Sequence, residues 1–185
     1  MYAPATVHPV DELRAARREL LAALQGYSPT DLIKPGSDGT WCARDVLLHI
    51  AGCLRELSRI VSDLAAIGYQ RGDPFDPGPD WSTWNEAQIK PYQTLRPEAA
   101  VAGVVTAHAR LLEIVDGLDE AALRRRGTTR FGFESTAWDL LLEEAAHERE
   151  HAARLAVHAR RPLSLEDDRC GHGGPVGASF LSSSN

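Results

Sequence analysis

Cysteine is scarce in this chain, with three in 185 residues (Cys42, Cys53, Cys170) and no C-x-x-C pair. Three cysteines cannot build an even disulfide framework, and so few fit a reducing compartment. No uninterrupted apolar stretch approaches the ~18–20 residues of a membrane span, so no spanning helix is expected. Residues 1–9 lack a charged region followed by an apolar one, so no secretory signal is read there. No basic surplus exists either: 20 Lys+Arg stand against 26 Asp+Glu, a net charge of −6 with histidines neutral. That balance argues against broad electrostatic binding to nucleic acid or to an anionic membrane. The local exception, Arg124, Arg125 and Arg126 with Arg130, reads as a solvated helix end. The expectation is a cytoplasmic protein.

Alternating strand patterns and internal repeats are also missing. Helical periodicity dominates instead. A first helix is expected over residues 10–25, with Leu13, Leu20, Leu21 and Leu24 near one face. Asp11 and Glu12 suit its first turn, where the helix dipole favours negative charge, and Gly26 stops it. A second helix runs from about Trp41 to Ile67 and is stopped by Gly68. Residues 70–80 carry three prolines and two glycines and must be irregular. Residues 81–89 form a helical turn or two before Pro91. A third long helix begins at Pro97, a favoured first-turn proline, and ends at Gly117. After a connector over 118–135, the fourth long helix runs from Thr136 to about Arg160, with Thr136 and Asp139 at capping-box spacing. The fold class is therefore all-α, a four-helix bundle over residues 1–161. Residues 162–185 turn to Gly, Ser and Asp and read as a disordered tail.

The most informative stretch is His147-Glu148-Arg149-Glu150-His151. Two histidines four apart on a helix lie about 40° apart around it and about 6 Å along it, so both imidazoles can reach one ion. Neutral imidazole suits zinc, nickel or another divalent transition metal. An isolated pair of this kind also occurs on charged surfaces, and the helix projection separates the two readings. Leu140, Glu144, His147, His151, Leu155 and His158 fall within roughly 80° of one another, with Leu141 and Ala152 extending the stripe. Glu143, Glu150 and Arg154 project away. His49 lies on the second helix among Val46, Ile50, Cys53, Leu57, Ile60 and Leu64, all within about 100° of it. His49, His147 and His151 together make the three-histidine set of an open metal site. Cys53, one turn after His49, is within reach of the same ion and is read as an inert buried thiol.

The same five residues satisfy H-E-x-x-H, a metallopeptidase signature whose glutamate is the general base. Its surroundings disagree. Arg154 and Val157 stand where the longer pattern needs a glycine and a third histidine, and Glu166 is the sole glutamate after Glu150. With no strand to hold an extended peptide, Glu148 is read as a rim or supporting residue.

The sequence resembles the DinB-like proteins. The resemblance rests on Trp41-Cys42-Ala43-Arg44-Asp45-Val46-Leu47-Leu48-His49-Ile50-Ala51, on the helix-four H-x-x-x-H, and on the four-helix layout over about four-fifths of the chain. Cys42 departs from the Ser or Thr usual at the helix-two cap, while Asp45 keeps the reciprocal capping position. The resemblance implies a divalent metal held by His49, His147 and His151. It implies an up-up-down-down bundle with a long crossover between helices two and three, and homodimers. Relatives with assigned activity use low-molecular-weight thiols such as mycothiol or bacillithiol in S-transfer, or isomerise small organic acids with them. The expected activity is a metal-dependent thiol S-transferase or related small-molecule enzyme. The alternative is a non-catalytic metal- or ligand-binding bundle, since membership does not establish catalysis. Trp84 and Asn85 fall where some transferase relatives place pocket residues. A metal acting as Lewis acid lowers the pKa of a bound thiol and makes it nucleophilic at neutral pH.

Overall fold

The computed structural model describes residues 7–75 and 81–159. The tail expected over 162–185 lies outside the described residues. Helix α1 spans Pro9–Ala23, with Asp11 and Glu12 in its first turn and the His8 ring accepting from the Val10 N–H at 3.4 Å. A 3₁₀ turn, Leu24–Gly26, ends it within a residue of the expected stop. Helix α2 spans Ala43–Ile67 and closes on Gly68 in the left-handed conformation at φ 77°. Cys42 takes the cap position, and its Sγ donates to Asp45 Oδ2 at 3.0 Å.

The short helix α3, Ser82–Ile89, is entered through Trp81 at φ 58° and continues into a 3₁₀ turn, Lys90–Tyr92. Helix α4 spans Pro97–Asp116, and the single turn α5, Glu120–Leu123, is capped by Asp119 accepting from the Ala122 N–H at 2.7 Å. Helix α6 spans Ala137–Ala159. At its start Thr136 Oγ1 accepts from the Asp139 N–H at 3.0 Å and donates to the Asp139 carboxylate at 2.6 Å. The expected capping pair is therefore real, but the carboxylate answers the hydroxyl.

One expectation needs correcting. Strands β1 (Arg126–Thr128) and β2 (Glu134–Thr136) form an antiparallel hairpin in the supposed connector, pairing Gly127 with Ser135. Three-residue strands are too short to show an alternating pattern. The hairpin docks on the end of α2 at Gly127, where a Cβ would stand 2.4 Å from the Gly68 carbonyl oxygen and 2.5 Å from Leu64 Cδ2. Only glycine allows that approach.

Four long helices make the core. Helix α1 packs along α6, α2 along α4, and α2 also faces α6. Leu13, Leu20, Leu47, Ile50, Leu54, Leu57, Leu111 and Leu140 are fully buried between them. Inward stripes on α2 and α6 thus meet in the bundle interior, which decides where the histidines go. No helix among the described residues is long and apolar enough to cross a membrane.

Candidate metal centre

The structure brings all three predicted histidines together. His49 projects from α2, and His147 and His151 project one turn apart from α6; each is at most 5% exposed. His147 Nε2 lies 3.1 Å from His49 Nε2 and 3.0 Å from His151 Nε2. Nitrogens sharing one ion at ~2.0–2.1 Å stand about 2.9–3.4 Å apart for bond angles of 90–110°. Both spacings fall in that interval.

The rear nitrogens explain which way the lone pairs face. His151 Nδ1 is 2.6 Å from Asp38 Oδ2, and His147 Nδ1 is 3.3 Å from Glu144 Oε2. An ionised carboxylate only accepts, so each Nδ1 carries the proton and each Nε2 presents a lone pair to the common centre. Facing lone pairs at 3.0 Å repel unless a cation or shared proton lies between them. A proton is poorly held there. Burial, followed by the neighbouring rings of His147 and His151, pushes His49 well below the usual imidazole range. Burial likewise lowers His151 to about 4, outweighing the Asp38 hydrogen bond. Inward-facing imidazoles, two of them backed by carboxylates, fit a divalent transition metal.

Asp38 and Glu144 support two of the rings without belonging to the expected ligand set. Glu144 shares the inward stripe of α6, and its i, i+3 spacing to His147 is the sequence signal for it. Asp38 sits in a tight turn far from His151 in sequence, and nothing local announces it. Arg154, expected to project away, reaches back to Asp38 with Nη1 at 2.9 and 3.1 Å from its two oxygens. Burial works against the Asp38 carboxylate, yet the His151 and Arg154 bonds and charges outweigh it and hold its pKa below the ordinary value. The Trp41 ring packs on His49 at 5.1 Å between centroids.

Cys53 Sγ lies 3.7 Å from His49 Nε2 and 3.8 Å from its Nδ1, and His49, Cys53 and His147 offer donor atoms within 4.8 Å of one another. Burial, reinforced by the Glu144 and Glu148 carboxylates, pushes this thiol well above its usual pKa. Glu148 is not at a rim, as the sequence suggested. It is fully buried and ion-paired with Arg17 of α1.

Trp84 and Asn85 are buried on α3. Helix α3 packs on α2 where a Cβ on Gly52 would lie 2.8 Å from Gln88 Cβ, so the approach needs glycine one residue before Cys53. Trp84 Nε1 and Asn85 Oδ1 lack hydrogen-bond partners among the described residues. The described ring neighbours of Trp84 are Trp81 at 6.1 Å and Phe131 at 6.4 Å. His8 caps α1, His108 packs beside α1, and His158 stacks on Tyr27 at 6.2 Å. His172 lies outside the described residues.

A helical bundle with inward histidines on two facing helices defines the class of protein. The chain belongs to the DinB superfamily, whose family model matches residues 12–155. Among solved structures it is similar to the mycothiol-dependent maleylpyruvate isomerase, in unaltered form and as a His-to-Ala variant, each at TM-score 0.66 and 18% identity. The match covers 80% of this chain and 59% of the isomerase, so the chain spans little more than half of that protein. It is also similar to YfiT from Bacillus subtilis, described as a probable metal-dependent hydrolase with an unusual four-helix bundle topology. There the TM-score is 0.63 at 18% identity, covering 86% of this chain and 92% of YfiT. No curated protein matches the chain in sequence.

Proposed function

We propose that this chain holds a divalent transition metal, zinc or nickel, at His49, His147 and His151, and works as a metal-dependent thiol S-transferase or related small-molecule enzyme. The observation that carries the reading is the meeting of three imidazole nitrogens at 3.0 and 3.1 Å, with two rings backed by carboxylates. When bound, such an ion supplies Lewis acidity that favours the deprotonated form of a water or thiol. The protein's own contribution is positional. Asp38 and Glu144 set two of the rings, and the buried surroundings exclude bulk water. Trp84 and Asn85 offer a donor and an acceptor, both without partners among the described residues, to a substrate from α3. The reading includes one domain over residues 1–161, up-up-down-down helix order, a cytoplasmic homodimer, and a low-molecular-weight thiol as co-substrate. The names of the two neighbours, a thiol-dependent isomerase and a probable metal-dependent hydrolase, support small-molecule chemistry on this scaffold.

The position of Cys53 favours a second reading, a non-catalytic metal-binding bundle. A fourth protein ligand closes a tetrahedral site, whereas catalytic sites keep one position open. The peptidase alternative needs Glu148 free to act as a base, and Arg17 holds it in the core. The test is metal analysis of protein purified without chelators, followed by a screen of thiols against small electrophiles and of water alone against small esters and amides. Turnover that requires a thiol supports the transferase. Hydrolysis without thiol replaces it with a hydrolase, and stoichiometric metal with no turnover leaves the non-catalytic bundle.

A further inference from the structure

We propose that Asp38 is the positioning residue of the site, fixing the ring and tautomer of His151 without touching the metal itself. This inference deepens the three-histidine reading and rests on it. Asp38 is 3% exposed although it belongs to the loop before α2. Its Oδ2 accepts from His151 Nδ1 at 2.6 Å, and Arg154 donates to both carboxylate oxygens from the next turn of α6. Two donors from one helix thus hold one carboxylate, which can rotate only by breaking a charge-assisted bond.

The backbone of Asp38 is fixed as firmly as its side chain. Asp38 and Trp41 exchange backbone hydrogen bonds at 3.1 and 3.2 Å, and the Ser37 N–H adds a third to the Trp41 carbonyl at 2.9 Å. Trp41 is the residue whose ring lies on His49. One two-residue turn therefore carries the group that orients His151 on α6 and the ring that packs on His49 of α2. Those two histidines come from different helices, and this turn touches both. A carboxylate behind a metal-binding histidine sets the tautomer, and removing such a partner commonly weakens metal affinity 10- to 100-fold.

The experiment compares Asp38→Ala and Asp38→Asn with the unaltered protein at about pH 8, where unperturbed imidazoles are neutral. Two readouts are taken: the ring tautomer of His151 in metal-free protein by ¹H–¹⁵N correlation, and zinc affinity by competition with a chelating dye. In the unaltered protein His151 should be the Nδ1–H tautomer. Asp38→Ala should release it to a mixture rich in Nε2–H and weaken zinc binding 10- to 100-fold. Asp38→Asn keeps nearly the same shape, so it should fold, but Arg154 Nη1, 2.9 Å from Oδ1, claims the single amide oxygen and turns the amide N–H toward His151, so the ring should shift to the Nε2–H form and lose zinc affinity as the Ala variant does. A lower unfolding temperature in Asp38→Ala with unchanged tautomer and unchanged affinity would make Asp38 merely structural and overturn the proposal. Should Asp38→Ala not fold, an Asn variant with unchanged tautomer and unchanged zinc affinity overturns it as well. If the unaltered protein binds no zinc, the three-histidine reading fails, while the tautomer still decides whether Asp38 orients His151.

Discussion

Arg17 on α1 and Glu148 on α6 form an ion pair inside the bundle, at 5% and 0% exposure. Burial pushes the Glu148 carboxyl up, the Arg17 charge pulls it back, and Glu144 adds to the rise. Arg17 is itself lowered by burial. Arg17 Nε and Nη1 and Glu148 Oε2 have no partner among the described residues, so the pair is incompletely satisfied. The place of Glu148 in the H-E-x-x-H stretch therefore reflects packing of α1 against α6, and the proposed metal ligands are its neighbours in sequence.

The first prediction follows from that asymmetry. Arg17→Met should destabilise the protein by roughly 3–5 kcal/mol, because it leaves a carboxyl buried without its partner. Arg17→Met combined with Glu148→Leu should recover much of the loss, since a buried pair often does no better than apolar residues of similar volume. Urea unfolding of the single and double variants measures both. A double variant as unstable as the single one would mean that the pair contributes net stability.

The second concerns acid. Burial, with the Arg17 charge next, lowers His108 from 6.5 to about 4. The folded state thus keeps this ring neutral while the unfolded chain takes up a proton near 6.5, and stability rises with pH between the two values. The contribution is complete above about pH 6.5 and is lost as pH falls toward 4. His108→Gln can still donate to the Leu13 carbonyl and has no proton to gain. Metal-free His108→Gln should therefore lose less stability than the unaltered protein between pH 7 and 4.5, as read by urea midpoints at each pH.

The helices and the histidine set were legible because both follow helical period. Arg17 stands four residues after Leu13 and three before Leu20, on the inward stripe of α1, but its pairing with Glu148 joins positions 131 apart. What sequence could not supply was contact across long separations. Asp38 meets His151 across 113 positions, and no periodicity links a loop to a helix face. Arg154 was read from its Cα direction, but a long side chain can lay its stem along the helix and return its charged end toward the core. The hairpin escaped because its docking on α2 is set by the missing side chain of Gly127, a feature that becomes meaningful only beside Gly68.

A third prediction separates Cys53 from the histidines. Burial keeps the thiol protonated in the metal-free protein, and in the proposed three-histidine site it should remain a packed side chain when the histidines take up an ion. Cobalt added in thiol-free buffer should give visible ligand-field bands without a near-ultraviolet sulfur-to-cobalt band, and Cys53→Ala should leave that spectrum unchanged. A sulfur band that disappears in Cys53→Ala would place Cys53 in the coordination shell and favour the non-catalytic reading.

The fourth uses metal removal. An ion that binds only the folded state at 100 times its Kd stabilises by about 2.7 kcal/mol, so zinc should raise the Tm and a chelator should lower it. The chelated protein should nonetheless keep its helical circular dichroism, because Leu13, Leu47, Leu54, Leu111 and Leu140 bury a core that does not include the histidines. Collapse of the helical signal on chelation would make the metal a structural necessity.

The last prediction sets chemistry against binding through three substitutions of different reach. His147 Nε2 lies within 3.1 Å of both other Nε2 atoms, so His147→Ala removes the middle of the set and should abolish thiol-dependent turnover. Trp84 sits on α3 among Trp81 and Phe131, and its role in the proposed reading is to shape the pocket. Trp84→Ala should therefore raise KM with a smaller change in kcat, the signature of lost binding that is equal in ground and transition states. Glu148 is paired with Arg17, so Glu148→Gln should keep appreciable activity, with any loss tracking stability. Near-complete silencing by Glu148→Gln in a fully folded, metal-loaded variant would instead identify a general base and restore the peptidase reading. Steady-state kinetics with the thiol and electrophile found in the screen, alongside metal content and Tm for each variant, distinguish these outcomes. Each substitution removes one function that the proposed reading gives to a different group, so their kinetic signatures should not coincide.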